Sequence, residues 1–417
     1  MSSCKLGPKF PHWLQTQRHV GLLFMSNANI SDTIPEWFED VFSDTNSLDL
    51  SYNQISSKLP KFPSDTYKFD LSNNLLSGNI PQIDDNTTLV LYNLLLSNNV
   101  LTGAIPEYLC KINALVVIDL SRNQLSGGIP SCLGNLQWLK VLDLGNNSLE
   151  GNIPSSLGSL QGLESLHLHN NRFHGKLPSS LQKLTNLMVL DLGKNDLADI
   201  IPHWIGEKLS NLKFLNLKSN KFNGGIPIEL CHLSALQLLD LAQNYITGHI
   251  PHCFGNFTAM IVNDLNDDWL LIAYAEHEEN ILDSMKGREL EYTETVLPYL
   301  TSIDLSNNYI VGEIPEELMD LSGLLNLNLA GNNLKGRIPK EIGNLEQLET
   351  LDLSRNKLSG PGFLVGFLGV CGILHFQKSW RYAFFQLVDN IYNRLVVAIE
   401  LKATWMQRKF RKGEFRE

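Results

Sequence analysis

An asparagine that returns at a nearly fixed interval constrains this chain more than any other feature. Aligned on the pattern Leu-x-Leu-x-x-Asn, asparagines fall at positions 53, 74, 99, 123, 147, 171, 195, 220, 244, 308, 332 and 356, mostly 24 residues apart with a single gap of 64. Two further units precede them, with Cys4 and Ala28 in the asparagine slot, so about fourteen units are expected. A repeat of this length points to stacked coils in which each coil touches only its neighbours.

Residues 115–130, LVVIDLSRNQLSGGIP, show what each unit has to do. The spacing of Leu115, Ile118 and Leu120 predicts a short strand with Ile118 and Leu120 on one face and Asp119 on the other. Asn123 ends the strand; its amide both donates and accepts, so it is expected to satisfy backbone groups in its own coil and in the next one. Leu125 turns back inward, Gly127 permits a turn that a Cβ would hinder, and Ile129-Pro130 lead onto the opposite side. One coil cannot bury its own leucines. Stacking at about 4.8 Å makes the apolar face continuous, and each buried Leu or Ile contributes roughly 1.5–3 kcal/mol. The predicted fold is an α/β solenoid, a right-handed superhelix with a parallel sheet on its concave side.

The full unit, L-x-x-L-x-x-L-x-L-x-x-N-x-L-x-G-x-I-P, resembles the plant-type extracellular leucine-rich repeat. GGIP at 127–130 and 224–227, GNIP at 151–154, GHIP at 248–251, GEIP at 312–315 and GRIP at 336–339 carry the likeness. In that family the G-x-I-P segment forms a second short strand. The 64-residue gap adds an island, which divides the chain into repeats at 1–259, the island at 260–297 and repeats again at 298–360. An island in this place is similar to that of plant receptor-like proteins, which lack a kinase. Lys286-Gly287 matches their lysine-glycine element, and Tyr274, Arg288 and Tyr292 complete the island residues that the resemblance offers to a partner.

The end of the chain extends the resemblance. Residues 361–376 look like a shortened transmembrane segment with a small-residue packing pair, Gly362 and Gly366. Its apolar run reaches about 22 Å as a helix, against a hydrocarbon core of about 30 Å. Residues 377–417 hold nine Lys/Arg against four Asp/Glu and read as a basic, amphipathic, helical cytoplasmic tail. No apolar signal segment opens the chain, so it reads as shortened at its front as well. The resemblance implies a single-pass plasma-membrane receptor that binds an extracellular peptide, glycan or protein. Signalling would then pass through adaptor and co-receptor kinases, in defence or development. The alternatives are a soluble inhibitor of the polygalacturonase-inhibitor type and a non-functional truncated product.

Charge and motif exclude other classes. The whole chain has net charge −11, and removing the basic tail leaves 24 Lys/Arg against 40 Asp/Glu, an acidic body unsuited to nucleic acid. No phosphate loop, H-E-x-x-H or G-x-S-x-G motif is present, so neither an enzyme nor a cofactor is expected. The carboxylates at 49, 70, 119, 143, 191, 240, 304 and 352 recur with the period, which marks them as scaffold rather than as a catalytic pair.

Cys110 and Cys132 occupy equivalent places in consecutive coils, as do Cys231 and Cys253, each pair 22 apart. Stacked coils bring such sites within disulfide reach, so two disulfides and an oxidising compartment are expected, against four buried thiols or a zinc site completed by His232 and His252. Asn29, Asn86, Asn146 and Asn256 head glycosylation sequons. The ligand-binding candidates on the concave face are Asp143, His167, His169, Asp191, Lys194, Asn216, Lys218 and Asp240, of which His167, Lys194, Asn216 and Lys218 differ from coil to coil. His167 and His169 share the concave face, with Asp143, Gly145, Asp191 and Gly193 in the matching slots on either side. A solvated or ligand-contacting patch is expected there rather than a metal site.

Overall fold

The computed structural model describes residues 1–17, 20–82, 89–261, 280–285, 288–293 and 296–358. Thirteen short strands, from Leu22–Phe24 to Thr350–Asp352, form one parallel sheet in which each strand pairs with that of the next coil. The register aligns equivalent positions, as in Val117 with Val141, Ile118 with Leu142 and Asp119 with Asp143. Every position of the repeat therefore becomes a column running along the wall. The inward columns, Ile118, Leu120 and Leu125 among them, are buried and supply the core.

The asparagine column explains the interval. Asn123 Nδ2 donates to the carbonyls of Leu120 and Ser121 in its own coil and of Leu96 in the coil before, at 3.0–3.2 Å. Its Oδ1 accepts from Leu101 N, again in the coil before, at 3.0 Å. The side chain thus reaches backward, where the sequence suggested forward. The reason is that the backbone already serves the following coil, Asn123 N donating to Asn146 O at 3.2 Å. Buried backbone groups need partners, and side chain and main chain divide that task by direction.

The front of the chain departs from the rule. Thirteen strands appear rather than fourteen, because the Cys4 coil contributes none among the described residues. Its loop still keeps register: Ser3 N donates to Ser26 O at 2.8 Å, as Asn27 N does to Ser51 O at 2.9 Å. Ala28 has no side-chain amide, so Leu6 N and Gly7 N fall back on its carbonyl, both at 3.1 Å. One coil later, Ile30 N finds Asn53 Oδ1 at 3.0 Å.

Just before each column asparagine the chain turns through the left-handed region, for example at Arg122 (φ 53°) and Lys194 (φ 55°). It leaves as a second strand such as Gln124–Gly127, where Gly127 takes φ +79°. Eight of these, from Ser77–Asn79 to Tyr245–Thr247, make a second parallel sheet. Proline then opens a five-residue 3-10 turn such as Ser131–Asn135. Convex α-helix is confined to Phe38–Val41 and Trp204–Lys208 among the described residues, because the span left by a 24-residue coil suits the tighter turn.

Two disulfides join neighbouring coils on this side, Cys110–Cys132 and Cys231–Cys253, with Cα atoms 5.6 and 5.7 Å apart. That takes the thiolates away from any site with His232 and His252, and His252 instead meets Glu317 at 2.9 Å.

The island does not interrupt the wall. Leu238–Asp240 pairs directly with Ser302–Asp304, and Asn308 bonds Leu241 O and Ile246 N as any column asparagine would. The described part of the island is an antiparallel hairpin, Asn280–Met285 with Arg288–Thr293. Contacts divide the chain into two units, and residues 1–335 with 339–357 form the one described above. The other, 336–338 with 358–417, lies almost wholly outside the described residues, so the membrane-like segment with Gly362 and Gly366 and the basic tail are outside them too. Among the described residues no helix is long and apolar enough to cross a membrane.

Candidate functional site

On the concave face the regular element is an aspartate and a serine two residues later. Asp119 Oδ1 accepts from Ser121 N at 3.0 Å and from its hydroxyl at 2.6 Å. Asp49 with Ser51 and Asp70 with Ser72 repeat the arrangement. These carboxylates cap the strand end, which accounts for their recurrence. Asp70 lies beside Asp49, and burial first, then that neighbouring charge, push its pKa up to about 6.

The rule changes between Asp143 and Asp191. Gly145 and Gly193 stand where serine is elsewhere common, so each carboxylate lacks the hydroxyl bond and keeps the backbone bond, to Gly145 N at 2.8 Å and Gly193 N at 3.2 Å. The coil between them places His167 and His169 on the same face, with His167 paired in register to Asp143 on one side and Asp191 on the other. Asp191 Oδ2 lies 3.0 Å from His169 Nδ1 and 3.8 Å from His167 Nδ1. His169 Nε2 meets the Asn146 amide at 2.7 Å, and His167 Nε2 meets Ser165 Oγ at 2.8 Å. Gly145 makes room for this: a Cβ there would fall 2.5 Å from His169 Cε1.

Charge follows the geometry. Burial opposes a charged Asp191, but the His169 imidazole and the hydrogen bonds from both rings outweigh it and hold the carboxyl well below the usual range. Burial likewise opposes a charged His169, yet Asp191 beside it lifts its pKa above the ordinary value. Burial pushes Asp143 up, with His167 pulling it down and Asp119 adding to the rise.

The other candidates continue along the wall. Asn216 Oδ1 accepts from Lys218 N at 3.0 Å, and Lys218 Nζ lies 3.7 Å from Asp240 Oδ2. Lys194 is half-buried at the left-handed position. A groove of about 720 Å³ runs along the earlier coils and ends at the histidines, lined by Asp49, Lys68, Asp70, Arg122, Asp143 and His169 among others.

Of the island candidates, Tyr292 packs on an apolar cluster, Arg288 begins the second hairpin strand, and Tyr274, Lys286 and Gly287 lie outside the described residues. That cluster, with Val117, Val141, Val189, Phe214 and Leu238 in one column, was missed in the sequence reading. The signal for it was present as an apolar residue just before the inward strand leucine in coil after coil. Among the sequons, Asn29 and Asn256 are exposed and Asn86 is outside the described residues. Asn146 already engages its amide with His169 and Asn170.

Comparison with known proteins agrees with this geometry. Leucine rich repeat models match residues 114–136, 138–160, 161–246 in two overlapping copies, and 298–358. Receptor-like protein EIX2 of Solanum lycopersicum is 47% identical over 62 residues, 15% of this chain and 6% of that protein, and receptor-like protein EIX1 is 49% identical over 59 residues. The chain carries leucine-rich repeats, and over about 60 residues it is similar to plant receptor-like proteins.

Solved structures extend the likeness of these leucine-rich repeats over most of the chain. The plant peptide hormone receptor RGFR1, in complex with RGF2, gives a TM-score of 0.55 at 28% identity, covering 84% of this chain and 57% of that one. A TDR receptor gives 0.60 at 25% identity over 82% of this chain and 61% of its own. The Arabidopsis receptor kinase HAESA, in complex with the peptide hormone IDA and the co-receptor SERK1, gives 0.54 at 26% identity over 84% and 64%. This leucine-rich-repeat chain therefore spans less than two thirds of each of these structures, and the matched stretch spans a small part of each tomato relative. The repeat array is a non-enzymatic scaffold, its recurring carboxylates being strand caps.

Proposed function

We propose that the concave wall is the ligand-binding surface of a cell-surface receptor, with an extracellular peptide as the first ligand class and a glycan or protein as the others. Adaptor and co-receptor kinases would carry the signal onward, and the repeats would lie outside the plasma membrane. One observation carries the reading: the asparagine and leucine columns persist through every coil from 165 to 244, while the outward residues of the same coils change to His167, His169, Lys194, Asn216 and Lys218. A scaffold that held only itself together would have no need of such variety. The peptide complexes of RGFR1 and HAESA support the peptide class. The two disulfides support passage through an oxidising compartment.

The test is a binding screen of the full chain against secreted plant peptides, followed by Asn216→Ala and Lys218→Ala. Each variant is expected to weaken the ligand by about tenfold, close to 1.4 kcal/mol, with circular dichroism showing that the fold is kept although both side chains are buried. Binding that ignores both changes, or that follows convex substitutions instead, rejects the concave wall as the site. Fractionation of the tagged chain checks its place: retention in washed membranes is expected, and secretion favours the soluble-inhibitor class.

A further inference from the structure

We propose that His167, His169 and Asp191 form a binding site for one divalent transition-metal ion of the zinc class. One ring nitrogen each of His167 and His169 and a carboxylate oxygen of Asp191 lie within 4.8 Å of one another, the only such group of three among the described residues. The separations of the two Nδ1 atoms from Asp191 Oδ2, 3.0 and 3.8 Å, bracket the roughly 3.4 Å between donors in a tetrahedral zinc site with bonds of about 2.0–2.2 Å. Two imidazoles and one carboxylate suit zinc; calcium and magnesium prefer oxygen throughout.

The surroundings are arranged for such a donor set. Asp191 Oδ1 closes on its own coil through Gly193 N, as Asp119 Oδ1 does through Ser121, while Asp191 Oδ2 faces the two histidines. The absent side chain at Gly145 lets the His169 ring lie over that coil. Each ring is held by its far nitrogen, His167 through Ser165 and His169 through Asn146, which leaves both Nδ1 atoms on the Asp191 side. Ligating histidines are commonly oriented by such partners. Asp143, the register partner of His167 on its other side, supplies a second negative charge, so a dication would be neutralised. The remaining position would fall to water or to a donor from a bound ligand. The exposed pairs His203–Glu207 and His252–Glu317 have two members each and serve as comparisons.

The experiment strips the full chain with a chelator, dialyses it and titrates it with cobalt(II), then repeats the titration with zinc against a chromophoric chelator. One equivalent is expected to bind with the intense visible absorption of tetrahedral cobalt, and zinc is expected to displace it. His169→Ala and Asp191→Asn should each weaken zinc at least tenfold, and His203→Ala should leave it unchanged. A cobalt spectrum indistinguishable from the hydrated ion overturns the proposal. So does an affinity that is insensitive to His169→Ala but falls with His203→Ala. Circular dichroism checks each variant, and the spectrum of the unmodified chain decides the matter where a variant fails to fold. Failure here leaves the peptide reading untouched, since Asn216 and Lys218 are not ligands.

Discussion

The interior ladder and the concave face between Asp143 and Asp191 are built from the same coils, yet they obey opposite rules. Inside, Asn147, Asn171 and Asn195 make the same four bonds in succession, at 2.9–3.2 Å. Outside, the same three coils present Asp-Gly, His-His and Asp-Gly, where the coil before them presents Asp119 and Ser121. A position that repeats satisfies the backbone of its own rung and of the one before. A position that breaks the repeat has been released from that duty and is available for chemistry.

The largest effect should come from an inward leucine. Leu168 lies between His167 and His169 and is fully buried, so Leu168→Ala should cost about 2–5 kcal/mol and lower the thermal midpoint. Trp138→Ala, at a side chain 72% exposed, should stay within about 0.5 kcal/mol. Equal losses at the two sites would erase the distinction between inside and outside.

Next comes the ladder itself. Asn195→Ala strands Phe173 N and three carbonyls, and about 2–4 kcal/mol should be lost by chemical denaturation. Ala28 shows how far the backbone can relax when the amide is missing at the front of the stack, and an equally small loss at Asn195 would mean the interior coils relax as well.

A third test uses pH. Asp70 folds with a pKa near 6, above its unfolded value, so the folded state favours the protonated acid. The associated stability is fully present below about pH 4 and is lost as pH rises through 6, an effect on the order of 1–3 kcal/mol. Asp70→Asn should flatten the denaturation midpoint between pH 4 and 7. An unaltered slope assigns that dependence elsewhere on the wall.

The smallest effect is expected at the left-handed turn. Arg355 is exposed with φ 55°, and Arg355→Asn should raise stability by about 0.5–1 kcal/mol because asparagine tolerates that conformation better. A loss instead would show that the arginine side chain contributes more than its backbone costs.

The wall was legible in the sequence because its physics is periodic. Burial of Ile118 and Leu120, the turn at Gly127 and the pairing of Cys231 with Cys253 all follow once the interval is known. The direction of the Asn123 bonds was not legible, since the amide could reach either neighbour and only the path of the main chain decides. The sequence placed His167 and His169 on one face and named Asp191 beside them. Ring orientation and the space above Gly145 depend on side-chain packing, which no spacing encodes. The island hairpin lies outside the repeat, and two six-residue runs separated by Lys286 and Gly287 were its one local clue.

That the Leu238–Asp240 rung sits directly against Ser302–Asp304 has a consequence for how such proteins change. Departure and return occur at adjacent rungs, so an inserted passage of any length can be exchanged or shortened there without re-phasing a single leucine. The junction after Met260 is in effect a socket, where new recognition can be grafted while the masonry on both sides stays as it was.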